Sequence, residues 1–597
     1  MSSNTAFIPL LLGAVADQEA GRLDQAFSGF AEVLALEPDQ PQALLFAGVV
    51  ALRLGKAGRA VPLLERAVAV RPTTAETHFA LGNALWATNQ RSTARASWQH
   101  AIRFDAKHVG ALLNLAQAQE RSGEAELAVA NCRAAVAAKP GHAQPWAALS
   151  SALRAANRPA EALEAADTAL RADPGFGMAH HQRGMALKLL DRSAEATDAL
   201  RQAIAHSPGL AASHLNLANL LHDAGDLAGA EQRCRTAIAL DPEMAEAHTV
   251  LGFLLTQRCD LPGAVAACET AIAISPDLTE AHCNLGIALL TAGDLPAGFA
   301  QYEWRKRHSS AGRDYYRQAY PEWLGQPLDG KRILIVAEQG LGDAIMFARY
   351  ASDLAARGGD VTIACDRRLV SLLSTAPDVS QAIPKTRAMP GFDFWIDQMS
   401  LPLICQTTLD TVPCPTAYLA ADPRRNGMWS LRLGLPERGH RVGLVWAGNP
   451  SHTNDANRSC PPSLFRSVLA VPDIVGVSLQ VGPNAADAAS LGLHDWSPDL
   501  TDYAETAALI ANLDLVITVD TSVAHLAAAM GKPTWIMLPF CPEWRWLHGR
   551  ADTPWYDSVR LFRQPTPGDW DSVRDEIVAA LRSTTGSTQG CATLAIL

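Results

Sequence analysis

At 597 residues the chain is too long for a single hydrophobic core, and several domains are expected. With 48% apolar and 19% charged residues it has a globular composition rather than a disordered one. A formal net charge of −11 argues against nucleic acid as the main partner, because neutralising phosphates needs a clustered basic surface. The eleven cysteines are scattered, odd in number and without a C-x-x-C pair, which suits buried thiols in a reducing compartment. The opening segment, MSSNTAFIPLLLGAVADQEAG, has an apolar run but no basic start, and it turns acidic at Asp17 and Glu19. It reads as a first helix rather than a signal peptide. No window approaches the roughly 18 apolar residues that suggest a membrane span. The expectation is a cytoplasmic protein without a membrane span.

The first half repeats. Prolines stand at Pro38, Pro72, Pro140, Pro174, Pro208, Pro242 and Pro276, every gap being 34 residues or a multiple of it, with Ala106 in the vacant slot. Twelve positions before each slot stand Ala26, Ala60, Ala94, Ala128, Ala162, Ala196, Ala230 and Ala264. Five before, from the second repeat on, stand Ala67, Ala101, Ala135, Ala169, Ala203, Ala237 and Ala271. Twenty-four before, a small residue recurs, among them Gly48, Gly82, Gly184, Gly252 and Gly286. This register resembles the tetratricopeptide repeat. The resemblance implies two antiparallel helices per unit, stacked into an all-α superhelix with a concave groove, over residues 1–308 as eight repeats and a partial ninth. A groove of this kind implies a protein partner. An Asn two residues before the small position recurs as Asn114, Asn216 and Asn284, interrupted by Phe46, Ala80, Ala148, Gln182 and Val250. In the O-GlcNAc transferase family an unbroken ladder of such Asn residues holds an extended peptide. Here the three are acceptor-groove candidates, with hydrogen bonding to a neighbouring helix as the alternative. The basic run YEWRKRH, Tyr302–His308, reads as a solvated helix end.

Residues 309–330 are Pro- and Gly-rich and read as a linker. Strand and helix patterns then alternate, as in a parallel α/β sheet, over 331–433 and again over 434–582. Residues 583–597 are small and polar, and a disordered tail is expected. Three segments stand out: ILIVAEQGLGDAIMFARY, then GNPSHTNDANRSCPPSLF, then TVDTSVAHLAAAMGKPTWIML. Together they resemble the glycosyltransferases related to bacterial lipopolysaccharide heptosyltransferases. The resemblance implies the GT-B fold, a pair of Rossmann-like domains, with the acceptor side in 331–433 and the nucleotide-sugar donor side in 434–582. Joined to the repeats, the chain resembles bacterial tetratricopeptide glycosyltransferases, including members proposed to glycosylate flagellin.

Gly340-Leu-Gly342 follows the first apolar strand but is not a dinucleotide fingerprint, since Ile345 stands at the third glycine position. Asp343 matches the acid proposed as general base in the heptosyltransferase pattern, and capping of the helix that begins there is the competing role. Asp520, Thr521, Ser522 and His525 follow the strand LVITV and open a helix, whose N-terminus is suited to an anion. The resemblance makes them donor-binding residues, with Gly340 and Gly342; an N-cap Asp and a half-buried His is the other reading. Arg458 aligns with a phosphate-binding Lys of the heptosyltransferases, against a surface salt bridge. His452 is a polar residue without an assigned role. Asp569-Trp-Asp571 has the spacing of a metal site from another glycosyltransferase fold, but it precedes the last helix and reads as a cap. The segment FCPEWRWL, Phe540–Leu547, either lines the cleft or packs the two domains together.

The expected activity is protein O-glycosylation of Ser or Thr, from a nucleotide sugar, with no metal or other cofactor. Flagellin is the acceptor that the resemblance names. A glycan or lipid-linked acceptor, or a scaffold without turnover, are the alternatives.

Overall fold

Alanine-rich segments with one small residue per repeat form helices because alanine has the best helix propensity and lets neighbouring backbones approach. The computed structural model describes residues 7–307, 319–385, 391–434, 436, 438–452 and 454–585. These fall into two units, Met1–Pro242 and Glu243–Leu597. In the first unit fourteen described helices pair in order into seven hairpins, from Phe7–Glu19 with Leu23–Leu36 to Ala211–Asp223 with Leu227–Leu240. The second unit begins with two more, Ala245–Gln257 with Leu261–Ile274 and Thr279–Ala292 with Leu295–Tyr302. The division thus falls inside the repeat array, and the last hairpins group with the α/β half.

The periodic alanines from Ala26 to Ala264 are all fully buried. The recurring glycines mark helix contacts within each hairpin. A Cβ on Gly48, Gly82, Gly184 or Gly252 would come within 2.3–2.9 Å of Leu64, Trp98, Leu200 or Cys268. At Gly286 the obstacle is backbone, with Tyr302 N at 2.9 Å and Gly298 O at 3.0 Å. Gly286→Ala should therefore destabilise the protein by about 1–3 kcal/mol through overpacking. Gly13→Ala, in an exposed helix with nothing within 4 Å of the new Cβ, should be neutral or slightly stabilising. Urea denaturation of the two variants checks the contrast; equal midpoints would contradict it. A further device escaped the sequence reading. His78, His180, His214 and His282 each hydrogen-bond through Nε2, at 2.8–3.1 Å, to the proline carbonyl six residues earlier, and Trp146 does the same to Pro140. Each ring pins the turn between two repeats.

The basic run is not a solvated helix end. Arg305 is buried and ion-paired to Glu338 at 2.6 Å and to Glu303 at 2.6 Å, and it also donates to Ser400 Oγ. Lys306 joins Glu303 and Glu322, while Arg307 lies over the Trp304 ring. Partnered guanidiniums can be buried where a lone one could not. The run is therefore a junction between the last hairpin and the first sheet. Residues 309–318 of the expected linker lie outside the described residues. The rest of it is packed: Trp323 and Leu328 are fully buried, and the Trp323 backbone N–H donates to Trp395 O at 2.8 Å.

Short Val- and Ile-rich runs form two all-parallel sheets. The first contains β1 (Arg332–Val336), β2 (Asp360–Cys365), β3 (Val379–Pro384) and β4 (Phe394–Asp397), in the order β3-β2-β1-β4. The second contains β5 (His440–Val445), β6 (Ile474–Ser478), β7 (Leu515–Val519), β8 (Thr534–Leu538) and β9 (Val559–Arg563), in the order β6-β5-β7-β8-β9. Strand order reverses beside β1 in one sheet and between β5 and β7 in the other. Such switch points open a crevice at the carboxyl ends of the strands. The loop after β8 also meets the eighth hairpin: the Cys541 thiol donates to Thr256 O at 2.9 Å, and Cys259 lies 4.0 Å from Phe540 O. All described cysteines are free thiols. Among the described residues no helix is long and apolar enough to cross a membrane. The last helix runs from Trp570 to Thr585, and the remainder of the expected tail lies outside the described residues.

Candidate active site

The loops after β1, β5 and β7 leave the two switch points, and they carry Asp343, Arg458 and Asp520 respectively. The loop after β1 is tightly wound. Gln339 has a φ of +62°, unusual for a residue with a side chain, and local strain of about 1–3 kcal/mol is typical of such positions at functional sites. The helix Leu341–Phe347 follows. Asp343 is its third residue, and its Oδ2 accepts the Gly340 N–H at 2.9 Å. The capping role is thus real.

Gly342 is one of the places where the two α/β halves touch. A Cβ there would stand 2.8 Å from His525 Cδ2 and 3.4 Å from Ser522 Cα, on the helix Ser522–Ala529 of the second domain. Gly340 meets only the Asp343 carboxylate, at 3.1 Å. Of the two glycines, only the second is required by a neighbouring element.

The helix Ser522–Ala529 has Thr521 at its N-cap, and the Thr521 side chain does not cap its first N–H groups. Thr521 Oγ1 lies 3.1 Å from Thr518 Oγ1, and Ser522 Oγ hydrogen-bonds the Tyr503 hydroxyl. Uncapped N–H groups and the helix dipole make this end receptive to negative charge. Asp520, just before it, is buried, and its pKa is pushed up to about 6. Desolvation is the main cause and Glu543 adds to it, against the lowering effect of the Trp546 indole, Arg458 and Arg545. His525 is buried and held neutral, since burial and the Arg545 and Arg349 charges oppose its protonation. Its Nδ1 meets the Tyr556 hydroxyl at 3.0 Å, and its ring stacks on Trp546 at 5.0 Å. A neutral ring that accepts from Tyr556 carries its hydrogen on Nε2, the edge turned toward Gly342.

Arg458 closes the short helix Asp455–Arg458 and pairs with Asp455 at 3.2 Å, both side chains being mostly buried. It packs against Gly448, where a Cβ would lie 2.7 Å from the guanidinium. His452 is depressed in pKa, first by burial and then by Arg458. Asp569 caps the last helix through Ser572, and Asp571 pairs with Arg574. Both acids of the D-x-D spacing are thus engaged in helix structure. Among the described residues no group of three or more His, Cys, Asp or Glu side chains is arranged to hold a metal ion. Asn114, Asn216 and Asn284 donate their amide hydrogens within the array, to Asn83, Ala212 O and Thr249 O.

The residue that sequence reading did not single out is Arg545, in the turn Trp544–Trp546 within FCPEWRWL. It is buried, ion-paired to Asp343 of the first domain, 3.5 Å from Glu543, and placed over the Trp544 ring at 4.5 Å. The segment therefore joins the two sheets' halves, through the Arg545–Asp343 pair. The hydroxyl of Tyr302, from the last helical hairpin, accepts from Gln339 Nε2 at 2.6 Å. Beneath lies Arg349, fully enclosed, donating to the carbonyls of Met346, Pro413 and Trp555 and to the Tyr418 hydroxyl. An uncommon cluster, Trp-Arg-Trp after a strand end, was the available signal for Arg545; nothing local marks Arg349.

Comparison with known proteins gives this geometry a family context. A model described as glycosyltransferase family 9 (heptosyltransferase) matches residues 499–536, which include Asp520, Thr521, Ser522 and His525. Tetratricopeptide models match 11–75, 79–143, 190–254 and 221–282. The chain thus carries tetratricopeptide repeats and a segment matched by the glycosyltransferase family 9 model. Protein FlbA of Caulobacter vibrioides is 34% identical to it over 313 residues, 48% of this chain and 52% of that protein. The chain thus spans about half the length of the curated relative it matches. Among solved structures, one chain of the APC/C hetero-tetramer Cut9–Hcn1 is 17% identical at a TM-score of 0.38, covering 47% of this chain and 55% of its own. A thermophilic tetratricopeptide protein of Thermus thermophilus is 24% identical at 0.28, covering 30% and 99%. The family 9 segment holds the helix whose open N-terminus faces Gly342.

Proposed function

We propose that the protein is a GT-B glycosyltransferase of the cytoplasm that moves a sugar from a nucleotide donor to a Ser or Thr hydroxyl of a protein recruited by the repeats. Support comes above all from one contact: the Asp343 loop of the first domain is pressed against the uncapped helix N-terminus of the second. A hydroxyl beside Asp343 and a phosphate at Thr521–Ser522 would flank a sugar. As the acceptor oxygen bonds to the sugar's anomeric carbon, its proton passes to the Asp343 carboxylate. The bond to the phosphate breaks with its electron pair on the phosphate oxygen, where the helix dipole and Arg458 stabilise the charge. Asp520 accepts hydrogen bonds from sugar hydroxyls.

Asn114, Asn216 and Asn284 stay as candidates for holding the acceptor: each donates one amide hydrogen within the array, and an amide has a second hydrogen and an acceptor oxygen. Flagellin is the first acceptor to test. Purified protein is offered CMP-linked nonulosonic acid, UDP-N-acetylhexosamine and ADP-heptose, and nucleotide release is measured. Intact mass of co-expressed flagellin follows, with and without Asp343→Ala. Release of nucleotide and a mass gain lost in the variant are expected; an unchanged mass in both removes flagellin, and no release from any donor removes the transferase.

Turnover should persist in excess EDTA, because the helix N-terminus and guanidiniums supply the positive charge. Loss of activity that Mn²⁺ or Mg²⁺ restores would contradict this.

A further inference from the structure

Asp343 is engaged at both carboxylate oxygens. One carboxylate oxygen accepts the Gly340 N–H and the other is ion-paired to Arg545. Each oxygen keeps a second lone pair, but an incoming hydroxyl that approaches the oxygen paired with Arg545 competes with the guanidinium for it. The cap lies within one turn and belongs to the helix itself. The ion pair spans 202 residues and joins two domains.

Arg545 is also the partner that no helix cap fixes. It sits in a three-residue turn rather than on a strand or long helix, with Trp544 at its face and Glu543 at 3.5 Å. Four carboxylates (Asp343, Asp455, Asp520 and Glu543) act on two guanidiniums, those of Arg458 and Arg545. A phosphate entering at Thr521–Ser522 adds negative charge to a neighbourhood already rich in it. It can be held only if a guanidinium turns toward it, and a planar fork suits phosphate as well as carboxylate.

We propose that the Asp343–Arg545 pair is an exchangeable latch: the phosphate of a bound nucleotide sugar takes Arg545 from Asp343, which frees the carboxylate to receive the acceptor's proton. The inference rests on the transferase reading above and adds an order to it. Donor binds first, the base is released second, and the acceptor hydroxyl is deprotonated only when a sugar is in place. After transfer, departure of the nucleotide returns Arg545 to Asp343. Water meeting the empty site finds the base ion-paired to Arg545.

The latch makes carboxylate and phosphate competitors for one guanidinium, and competition has a signature that a structural ion pair lacks. The full chain is titrated calorimetrically with UDP, CMP and ADP, as wild type, Asp343→Asn, Arg545→Gln and Arg545→Lys, with the melting temperature of each recorded. For whichever nucleotide binds, Asp343→Asn should tighten it by about threefold or more, and Arg545→Gln should weaken it by about tenfold or more, with partial recovery in Arg545→Lys. Unchanged or weaker binding in Asp343→Asn, with the wild type binding normally, overturns the latch and leaves the transferase reading standing. No binding of any nucleotide to either protein overturns both. Should Arg545→Gln fail to fold, Asp343→Asn alone decides.

Discussion

Gly342→Ala is expected to lower kcat/KM for sugar transfer by about 10²-fold or more, while Gly340→Ala in the same loop has a far smaller effect. The new methyl would lie 2.8 Å from His525 Cδ2. His525 has no room to retreat, because its ring is stacked on Trp546 and its Nδ1 is tied to Tyr556, which itself lies under the Arg349 guanidinium. The loop must therefore move, carrying Asp343 away from Arg545 and from the helix N-terminus. Displacements of about 1 Å in such sites are associated with losses near 10²-fold. The folding free energy should fall by only about 1–3 kcal/mol, as for other overpacked sites. At Gly340 the methyl would meet only one Asp343 carboxylate oxygen, at 3.1 Å, which a shift of a few tenths of an ångström relieves, and the backbone there has a φ of −87°, which any residue accepts. Steady-state kinetics on the two variants checks the contrast. Equal activity would mean that the interdomain contact at Gly342 does not position the reacting groups.

The parts of this molecule that were legible in its sequence are those where a local pattern carries the cause. The 34-residue register reports helix pairs because each small residue has to pass a particular partner, as Gly252 passes Cys268. The strand-turn-helix runs at Asp343 and Asp520 read correctly as loops at strand ends, because an apolar run followed by Gly or Asp is a local feature. What lay hidden is pairwise and remote. Arg545 finds Asp343, and Arg349 finds the Trp555 carbonyl 206 residues later. No periodicity announces either. The run at Arg305 hides its contacts for the same reason: Arg305 and Lys306 look solvated until Glu338, Glu303 and Glu322 come to meet them. Buried charge is therefore the part of this site that composition disguises, and it is also the part that the proposed chemistry uses.

The same burial has a thermodynamic consequence at Asp520. Its carboxyl is displaced from 3.8 to about 6, chiefly by desolvation and then by Glu543, with Arg458, Arg545 and the Trp546 indole only partly offsetting them. A raised folded-state pKa means that the native protein binds this proton more tightly than the unfolded chain does. The associated stability is fully present below about pH 4 and is lost as pH rises through about 6. At neutral pH the ionised, buried carboxylate thus destabilises the fold by an amount on the order of 3 kcal/mol, at about 1.36 kcal/mol per decade. Asp520→Asn removes the charge with little change of shape. It should raise stability by about 1–3 kcal/mol at pH 7.5, the lower figure allowing for imperfect hydrogen bonding of the amide, and by nearly nothing at pH 4. Sugar transfer should fall by about 10²-fold or more at pH 7.5, because an amide accepts the donor's hydroxyls less well than a carboxylate, and the difference should shrink at pH 4, where Asp520 is itself protonated. Urea denaturation of both proteins from pH 4 to 7.5, alongside kinetics, tests the pair of effects together. A variant less stable than wild type at pH 7.5, or a stability difference that does not grow with pH, would show that Asp520 is a structural cap. A gain in stability with a loss of turnover is instead the mark of a group kept charged in an unfavourable place for what it binds.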